Sequence, residues 1–260
     1  MIFADSHAHL YLEEFKGDRD EMIRRALDKG VRYLFLPNID SSSVESLFLL
    51  AESFPGTCFP MMGLHPTSVK DNFREEMHAV EAVLAADPGK FSAIGEIGID
   101  LYWDKAHLEE QKTVFGRQLD LAIEYSLPVV IHTRNSFDVT AKIAEEKRTT
   151  GLKGVFHCFS GNVEQAKKAT EMGFFLGIGG VVTFRDPGLQ KVVETIPLEY
   201  LVLETDAPFL APVPFRGQRN ESSYIPLIAA KVAELKHIPV EQVAEITTRN
   251  TLDLFNVKAA

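Results

Sequence analysis

Five of the eight histidines in the sequence follow short apolar runs, at positions where a buried strand would end. The run "IFADSH" leads into His7 and His9, which have one residue between them. Because alternate residues of a strand face the same side, both imidazoles of such a pair can reach one ion. Later runs end at or near the other three members of this group, His65, His132 and His157. Histidine at this recurring place indicates a metal site.

Acidic residues occupy the same place in two further runs. Glu96 lies inside "FSAIGEI", and Glu204 and Asp206 belong to "ETD" at the end of the last run. Burying unpaired polar groups costs free energy, and metal coordination removes that cost. The predicted ligands are therefore four histidines and two carboxylates: His7, His9, Glu96, His132, His157 and Asp206. Nitrogen and oxygen donors without a thiolate suit zinc, manganese or nickel and, in part, magnesium.

Six protein ligands are too many for one catalytic ion, which must keep an open coordination position. Two divalent ions roughly 3.5–4 Å apart, bridged by a carboxylate and a water, fit this number better. Glu96 is the predicted bridge, because its run lies between the HxH pair and the later runs that end in His132 and His157. Asp206 is expected either to take the proton of the water or to act as a ligand alone. Glu204 is expected to orient an imidazole.

The elements that must position these residues alternate along the chain. Short β-rich runs lie at residues 2–7, 31–37, 57–63, 91–97, 128–132, 153–157, 174–179 and 200–205. Helix-like segments lie near residues 18–29, 41–53, 72–86, 107–125, 136–147, 162–172, 188–195, 222–236 and 239–255. Near-continuous apolar runs are typical of parallel strands that are buried on both faces. Asp18, Ser41 and Asn162 are predicted to cap helices.

Eight strands that alternate with helices predict an α/β fold, a (β/α)8 TIM barrel, with a doubly wound open sheet as the rival architecture. We expect a single domain over residues 1–260, in which the helices at about 222–255 complete the outer layer. In a barrel the catalytic residues lie at the C-terminal ends of the strands. The predicted ligands all fall at these ends.

The formal net charge of −10 argues against a broad, non-specific nucleic-acid surface, which is normally basic. It does not exclude a small polyanion site formed by metal ions and a few arginines. No apolar stretch approaches the ~18 residues of a membrane span, and the first residues lack the pattern of a signal peptide. The two cysteines lie in apolar runs without a CxxC motif. We therefore expect a cytoplasmic protein with no membrane association and no obligate protein partner.

Seven motifs extend in order from residue 2 to about residue 256: "FADSHAHL", "GLHP", "AIGEIGIDLYWD", "QLDLAIEYSLPVVIHTRNSFD", "FHCFSG", "LVLETDAPFLAPVPFRGQRNES" and "NTLDLF". Together they closely resemble the TatD-like metal-dependent hydrolases, often described as TatD deoxyribonucleases. The resemblance implies the eight-stranded barrel and metal-dependent hydrolysis of phosphodiester bonds in DNA, with exonuclease activity in several members. Departures from the family pattern, such as Ala8 and Phe215, fall at none of the predicted ligands.

The resemblance also implies a role for individual residues. The ligands of one ion would be His7, His9, Glu96 and Asp206. Those of the second ion would be Glu96, His132 and His157. His65 in "GLHP" resembles a histidine that lies on the substrate side, near the phosphate.

Candidate substrate contacts lie close to these motifs. The arginines that fall on the same end of the predicted barrel are Arg134, Arg185, Arg216 and Arg219. Planar guanidinium groups suit phosphate oxygens, and we interpret the cluster as phosphate-binding. Tyr102 and Trp103 follow Glu96 closely and are predicted to stack on a base, with packing within the loop as the alternative role of Trp103.

The sequence leaves the substrate open between several hypotheses. The first is a deoxyribonuclease, preferably an exonuclease, that acts on DNA ends or single strands and binds long duplexes weakly because the chain is acidic. The second is a hydrolase of the same architecture that cleaves another ester or an amide, for example by deacylating misacylated tRNA. The third, a non-enzymatic interaction protein, is disfavoured because all six ligands are present.

Overall fold

A computed structural model describes residues 1–147 and 151–258 of the protein. The strands are β1 (Phe3–Asp5), β2 (Val31–Leu36), β3 (Cys58–Pro60), β4 (Ile94–Asp100), β5 (Val129–Arg134), β6 (Gly154–Phe156), β7 (Phe175–Ile178) and β8 (Leu201–Leu203). The helices are α1 (Arg19–Asp28), α2 (Val44–Ser53), α3 (Phe73–Ala86), α4 (Leu108–Glu124), α5 (Phe137–Glu146), α6 (Val163–Glu171), α7 (Pro187–Thr195), α8 (Ile225–Lys236) and α9 (Val240–Leu254). The predicted alternation is confirmed.

The main difference from the predicted strands concerns β4 and β5, which both continue past their apolar runs. Their pairing extends through Ile99 with Thr133 and Asp100 with Arg134. The added residues are mostly polar, so hydrophobicity alone could not indicate them. These extra pairs matter for function because they bring Asp100 to the end of β4.

The eight strands are parallel and follow one another around a TIM barrel in chain order. β1–β3 form one hydrogen-bonded sheet and β4–β8 form the other. At the seams, Met62 pairs with Ile94 and Ala8 pairs with Ala207. His9 reinforces the second seam by donating its backbone N–H to the carbonyl of Ala207 at 2.8 Å. Single bridges, rather than continuous ladders, therefore span both seams.

Alternate strand residues fill the interior of the barrel. Val130, Val155 and Val202 belong to one buried cluster with Phe35 of β2. Two residues further along the same strands stand His132, His157 and Glu204. Because side chains alternate with a period of two, the faces that pack the interior also deliver these polar groups to its C-terminal mouth.

The C-terminal helices only partly fulfil their predicted role of completing the outer layer. α8 packs against α7 and β1, as an outer-layer helix does. α9 instead lies across the amino-terminal end of the barrel, where Thr248 donates to the carbonyl of Ile2 at 3.0 Å. Near its end, Phe255 lies 4.3 Å from the ring centroid of Phe35. α9 thus closes the end of the barrel opposite the predicted ligands.

Two of the three predicted N-caps hold that position: Asn162 at α6 and Asp18 at α1. The side chain of Asn162 accepts from the backbone N–H of Gln165. Ser41 is itself in a short 3-10 turn that Asp40 caps. Asp18 makes no side-chain capping bond, because its carboxylate is occupied by charge-assisted bonds to Arg25 and Arg219. Such ionic bonds are roughly twice as strong as neutral hydrogen bonds.

Within the two described ranges, no helix combines the length and the apolar character that a membrane crossing requires.

Phe35→Ala should destabilise the protein strongly, because Phe35 is fully buried in the barrel interior and packs on Phe59 and Phe255. Removing a buried phenyl ring typically costs about 3–5 kcal/mol of unfolding free energy. Guanidinium denaturation measures the loss. Leu49→Ala, at a side chain of α2 that is 60% exposed, is the control and should change stability by less than ~0.5 kcal/mol. Equal effects would contradict the packing described.

Candidate metal centre

Glu96 of β4 is the buried centre of the polar cluster at the C-terminal mouth of the barrel. Its Oε2 atom lies 3.1 Å from His7 Nε2 and 3.3 Å from His9 Nε2. Its Oε1 atom lies 2.7 Å from His132 Nδ1 and 2.9 Å from His157 Nε2. The two oxygens of one carboxylate therefore face two different groups of imidazole nitrogens.

Asp206 joins the group on the Oε2 side. Its Oδ1 atom lies 3.6 Å from His7 Nε2 and 3.7 Å from His9 Nε2. The two imidazole nitrogens are themselves 3.2 Å apart. The seam between β1 and β8 produces this proximity, because the N–H of Asp206 donates to the carbonyl of His7 at 2.9 Å. The start of the barrel and its last strand thus build this half of the cluster together.

The protonation pattern of His9 follows from its neighbours. The hydroxyl of Tyr11 donates its single hydrogen to the carbonyl of Pro37 at 2.7 Å. Its oxygen, 3.1 Å from His9 Nδ1, must therefore accept from that nitrogen. A neutral imidazole with its proton on Nδ1 carries a lone pair on Nε2. Tyr11 thus holds His9 in the tautomer that a metal ligand needs, a role that sequence reasoning missed.

Asp100, at the end of β4, orients His132 in the same way. Its Oδ2 atom lies 2.9 Å from His132 Nε2. With the proton on Nε2, the lone pair of Nδ1 is directed at Glu96. Sequence reasoning missed Asp100 as well, although a signal existed. It stands four residues after Glu96, and strand alternation places both side chains on one face.

Glu204 lies behind His157, with Oε1 at 3.4 Å from His157 Nδ1. The same oxygen accepts the backbone N–H of Cys158. Glu204 is fully buried, and its other oxygen has no hydrogen-bond partner among the described residues. Oε1 and His157 Nδ1 lie at ion-pair distance without a hydrogen bond between them, and the orienting role of Glu204 stays a prediction.

His65 lies beside the Oε1 group, 3.1 Å from Glu96, but its environment differs from that of the other histidines. Its Nδ1 atom accepts the backbone N–H of Thr67 at 3.1 Å. In the neutral ring the proton is then on Nε2, which faces the Oε1 atom of Glu96 as a hydrogen-bond donor. In this tautomer Nε2 presents no lone pair to a metal ion, and the role of His65 on the substrate side stays a prediction.

Opposing charges govern the protonation of the cluster. Burial alone would raise the pKa of Glu96, but the surrounding imidazoles hold that pKa well below its ordinary value. Burial alone would lower the pKa of His157, but the charges of Glu96 and Glu204 hold it well above its ordinary value. The pKa of His7 lies well below its ordinary value because of burial and the adjacent His157. Burial raises the pKa of Asp206 to about 6.

The donor chemistry fits divalent metal ions. Ligand atoms converge in three groups: His7, His9 and Glu96; His7, His157 and Asp206; His65, Glu96 and His132. All are nitrogens or carboxylate oxygens, which suit borderline and hard divalent ions. Cys158 adjoins the cluster, but burial and nearby carboxylates hold the pKa of its thiol well above the ordinary value. Among the described residues, Cys158 contributes to none of the three groups of ligand atoms.

At the mouth of the barrel, two arginines each pack against aromatic rings. The guanidinium of Arg134 lies 4.2 Å from the ring centroid of Tyr102 and 5.4 Å from that of Trp103. Tyr102 is 54% and Trp103 67% exposed. On the β7–β8 side, the guanidinium of Arg216 lies 4.1 Å from the ring of Phe184. Arg185, next to Phe184, is also exposed.

Arg219 departs from its predicted role as a phosphate contact. Its Nη1 and Nη2 atoms each donate to the carboxylate of Asp18 at 2.7 Å, and Nη1 also donates to the carbonyl of Glu14. Its guanidinium packs over the ring of Phe15 at 4.5 Å. A bidentate ion pair leaves little capacity for a ligand. The sequence pattern could not show this partner, because Asp18 lies two hundred residues away.

The affinity for a divalent ion should fall as the pH falls. Metal ligands must be neutral imidazoles and ionised carboxylates. Below pH 6 Asp206 takes up a proton, because its pKa is raised to about 6, and His157 holds one more readily than an ordinary histidine. Competition with a chromogenic chelator should show zinc affinity at least roughly tenfold lower at pH 5.5 than at pH 7.5. Equal affinity at both values, with the fold intact by circular dichroism, would contradict this cluster as the site.

Comparison with known proteins agrees with this geometry. A family model described as TatD related DNase matches residues 4–256. The metal-dependent hydrolase YabD of Bacillus subtilis (strain 168) is 38% identical over 258 residues, which cover 99% of this chain and 100% of YabD. The metal-dependent hydrolase YjjV of Escherichia coli (strain K12) is 33% identical, with 98% of each chain covered.

Solved structures show the same likeness in three dimensions. The crystal structure of the TatD homologue YjjV from Escherichia coli K12 superimposes with a TM-score of 0.92 at 32% identity, covering 98% of both chains. A TatD family hydrolase from Entamoeba histolytica, 23% identical, shares the fold with a TM-score of 0.87 over 98% of both chains. A cluster of imidazoles and carboxylates at the mouth of such a barrel, together with a family match across nearly the whole chain, places the protein in the TatD-related family of metal-dependent hydrolases.

Proposed function

We propose that the protein hydrolyses phosphodiester bonds in DNA, with two divalent metal ions held on the two sides of Glu96. One observation carries this proposal: each oxygen of the Glu96 carboxylate faces its own group of ligand atoms. A carboxylate that lies between two groups of donors suits a bridging ligand. One ion would be held by His7, His9, Glu96 and Asp206, and the other by Glu96, His132 and His157.

Bound ions of this kind neutralise phosphate oxygens and lower the pKa of a water molecule. The protein groups supply what remains. The Asp206 side chain is 15% exposed, whereas those of Glu96 and Glu204 are 2% and 0% exposed. Asp206 is therefore the carboxylate of this group that a water at the mouth can reach, and it suits a proton acceptor. His65, whose Nε2 lies 3.1 Å from Glu96, would donate to a substrate oxygen that binds beside this carboxylate.

The mouth of the barrel supports a nucleic-acid substrate. Arg134 provides positive charge and stacks on Tyr102, so its guanidinium is held in place before a phosphate arrives. The exposed faces of Tyr102 and Trp103 suit stacking with unpaired bases. The net charge of −10 opposes a long duplex lying across the surface. Together these features favour DNA ends and single strands over intact duplexes.

The purified protein, loaded with zinc, manganese, nickel or magnesium, should shorten end-labelled single-stranded DNA, and a chelator should stop the reaction. Glu96→Gln should abolish cleavage, because it removes the negative charge that lies between the imidazoles. Glu52→Gln is the matched control, because this exposed glutamate pairs with Lys90 at the surface. Gel analysis of the products measures both.

If the folded, metal-loaded protein does not cleave DNA, the nuclease proposal is contradicted. Hydrolysis of an aminoacyl ester by the same preparation would then support the second substrate class instead. Full activity of Glu96→Gln would contradict the proposal that Glu96 bridges two metal ions.

Tyr102→Ala should weaken the binding of single-stranded DNA while leaving the metal ligands intact. Stacking of one base on an aromatic ring contributes about 1–3 kcal/mol, so KM should rise roughly 5- to 150-fold with little change in kcat. Tyr200→Ala is the matched control, since this tyrosine is also exposed, at 38%, but precedes β8 at the opposite end of the barrel. Steady-state kinetics on a labelled single strand compares the two. The same KM in both variants would show that the base does not stack there.

A further inference from the structure

Asp206 has an unusual backbone for a residue that must hold its side chain precisely. Its φ angle is 56°, in the left-handed region that non-glycine residues adopt at an energetic cost. β8 has already ended at Leu203, and the bond from the N–H of Asp206 to the carbonyl of His7 at 2.9 Å fixes the backbone on one side of the residue. Other contacts must hold this conformation.

Asn220 makes those contacts. It is fully buried, and its Nδ2 atom donates to the carbonyl of Thr205 at 2.7 Å and to that of Phe209 at 2.6 Å. These two carbonyls lie on either side of Asp206 in the chain. The backbone N–H of Asn220 also donates to the carbonyl of Pro208 at 3.0 Å. One side-chain amide thus spans the turn that carries Asp206.

The residues beside Asn220 fasten it to the rest of the barrel. Arg219 forms its bidentate pair with Asp18. On the other side, Glu221 accepts from Arg25 of α1 at 2.6 and 3.1 Å. Both neighbours of Asn220 are therefore anchored by charge-assisted bonds at α1, which limits the movement of the asparagine between them.

Thr205 is held from the opposite side as well. Its backbone N–H and its hydroxyl donate to the two carboxylate oxygens of Asp5, at 2.9 and 2.6 Å. Asp5 is the last residue of β1 and is fully buried. The residue before Asp206 is thus fixed between β1 and Asn220.

We propose that Asn220 is a positioning residue for Asp206: it holds the left-handed turn that directs the carboxylate of Asp206 at His7 and His9. This inference rests on the part of the proposed function that makes Asp206 a metal ligand. Asn220 does not touch the ligand atoms itself. Its loss should weaken metal binding on the side of Asp206 and leave the group around His132 and His157 in place.

A second asparagine, which bonds to the chain at the start of β8, provides a matched control. Asn250 of α9 is buried too, and its Nδ2 atom donates to the carbonyls of Leu198 and Leu201 at 3.0 and 2.8 Å. It therefore makes the same pair of bonds at the amino-terminal end of β8, remote from the metal ligands. A purely structural effect should appear equally in both positions.

The test compares Asn220→Ala, Asn250→Ala and Asp206→Ala by calorimetric titration of the metal-free proteins with zinc chloride, and by guanidinium denaturation. We expect similar losses of stability for the two asparagine variants. Asn220→Ala should bind the ion on the Asp206 side about 10- to 100-fold more weakly, the usual range when a partner of a ligand is removed. Asn250→Ala should retain the affinity of the parent protein. If Asn220→Ala does not fold, Asn220→Ser, which keeps one donor, replaces it and should show a smaller loss in the same direction.

The outcomes separate the two proposals. Unchanged zinc affinity in Asn220→Ala or Asn220→Ser, or an equal loss in Asn250→Ala, overturns the positioning role while Asp206→Ala still shows that Asp206 is a ligand. Unchanged affinity in Asp206→Ala overturns the assignment of Asp206 itself. Selective loss in the Asn220 variant supports both.

Discussion

The polar mouth of this barrel depends on one buried carboxylate among imidazoles. Glu96 lies within 3.3 Å of nitrogens from five histidines, and burial makes every charge there expensive unless an opposite charge lies next to it. Without a metal ion, the negative carboxylate and the protonated imidazoles therefore stabilise one another. A metal ion that binds here must displace the imidazole protons, because it takes over their positive charge beside Glu96.

A layer of partners around this cluster fixes which nitrogen of each imidazole carries the proton. Tyr11 determines the tautomer of His9 through the carbonyl of Pro37, Asp100 that of His132 and the Thr67 amide that of His65. In His9 and His132 the partner leaves a lone pair on the ring nitrogen that faces the cluster, and this nitrogen can bind a metal. In His65 the partner leaves a proton on that nitrogen, which can therefore act as a hydrogen-bond donor. The distinction arises from backbone carbonyls and amides as much as from side chains.

Much of the fold and of the candidate ligand set was predictable because both follow periodic patterns in the sequence. Apolar runs predicted all eight strands. The period of two along those strands predicted that His132 and His157 lie at the same end of the barrel as Glu96. Asp100 and Tyr11 were missed because each acts through a single partner, without a repeating pattern. Arg219 was misread because its partner, Asp18, is distant in the chain. The placement of α9 across the amino-terminal end likewise depends on tertiary contacts, such as Phe255 on Phe35.

The seam where Ala8 meets Ala207 has a consequence for how the protein matures. Candidate ligands for one half of the cluster follow β1 and β8, which lie far apart in the chain. A nascent chain that stops before β8 holds His7 and His9 but lacks Asp206 and the backbone that aligns it. Under the proposed ligand assignment, this half of the site would therefore form only after β8 has been synthesised and has folded against β1.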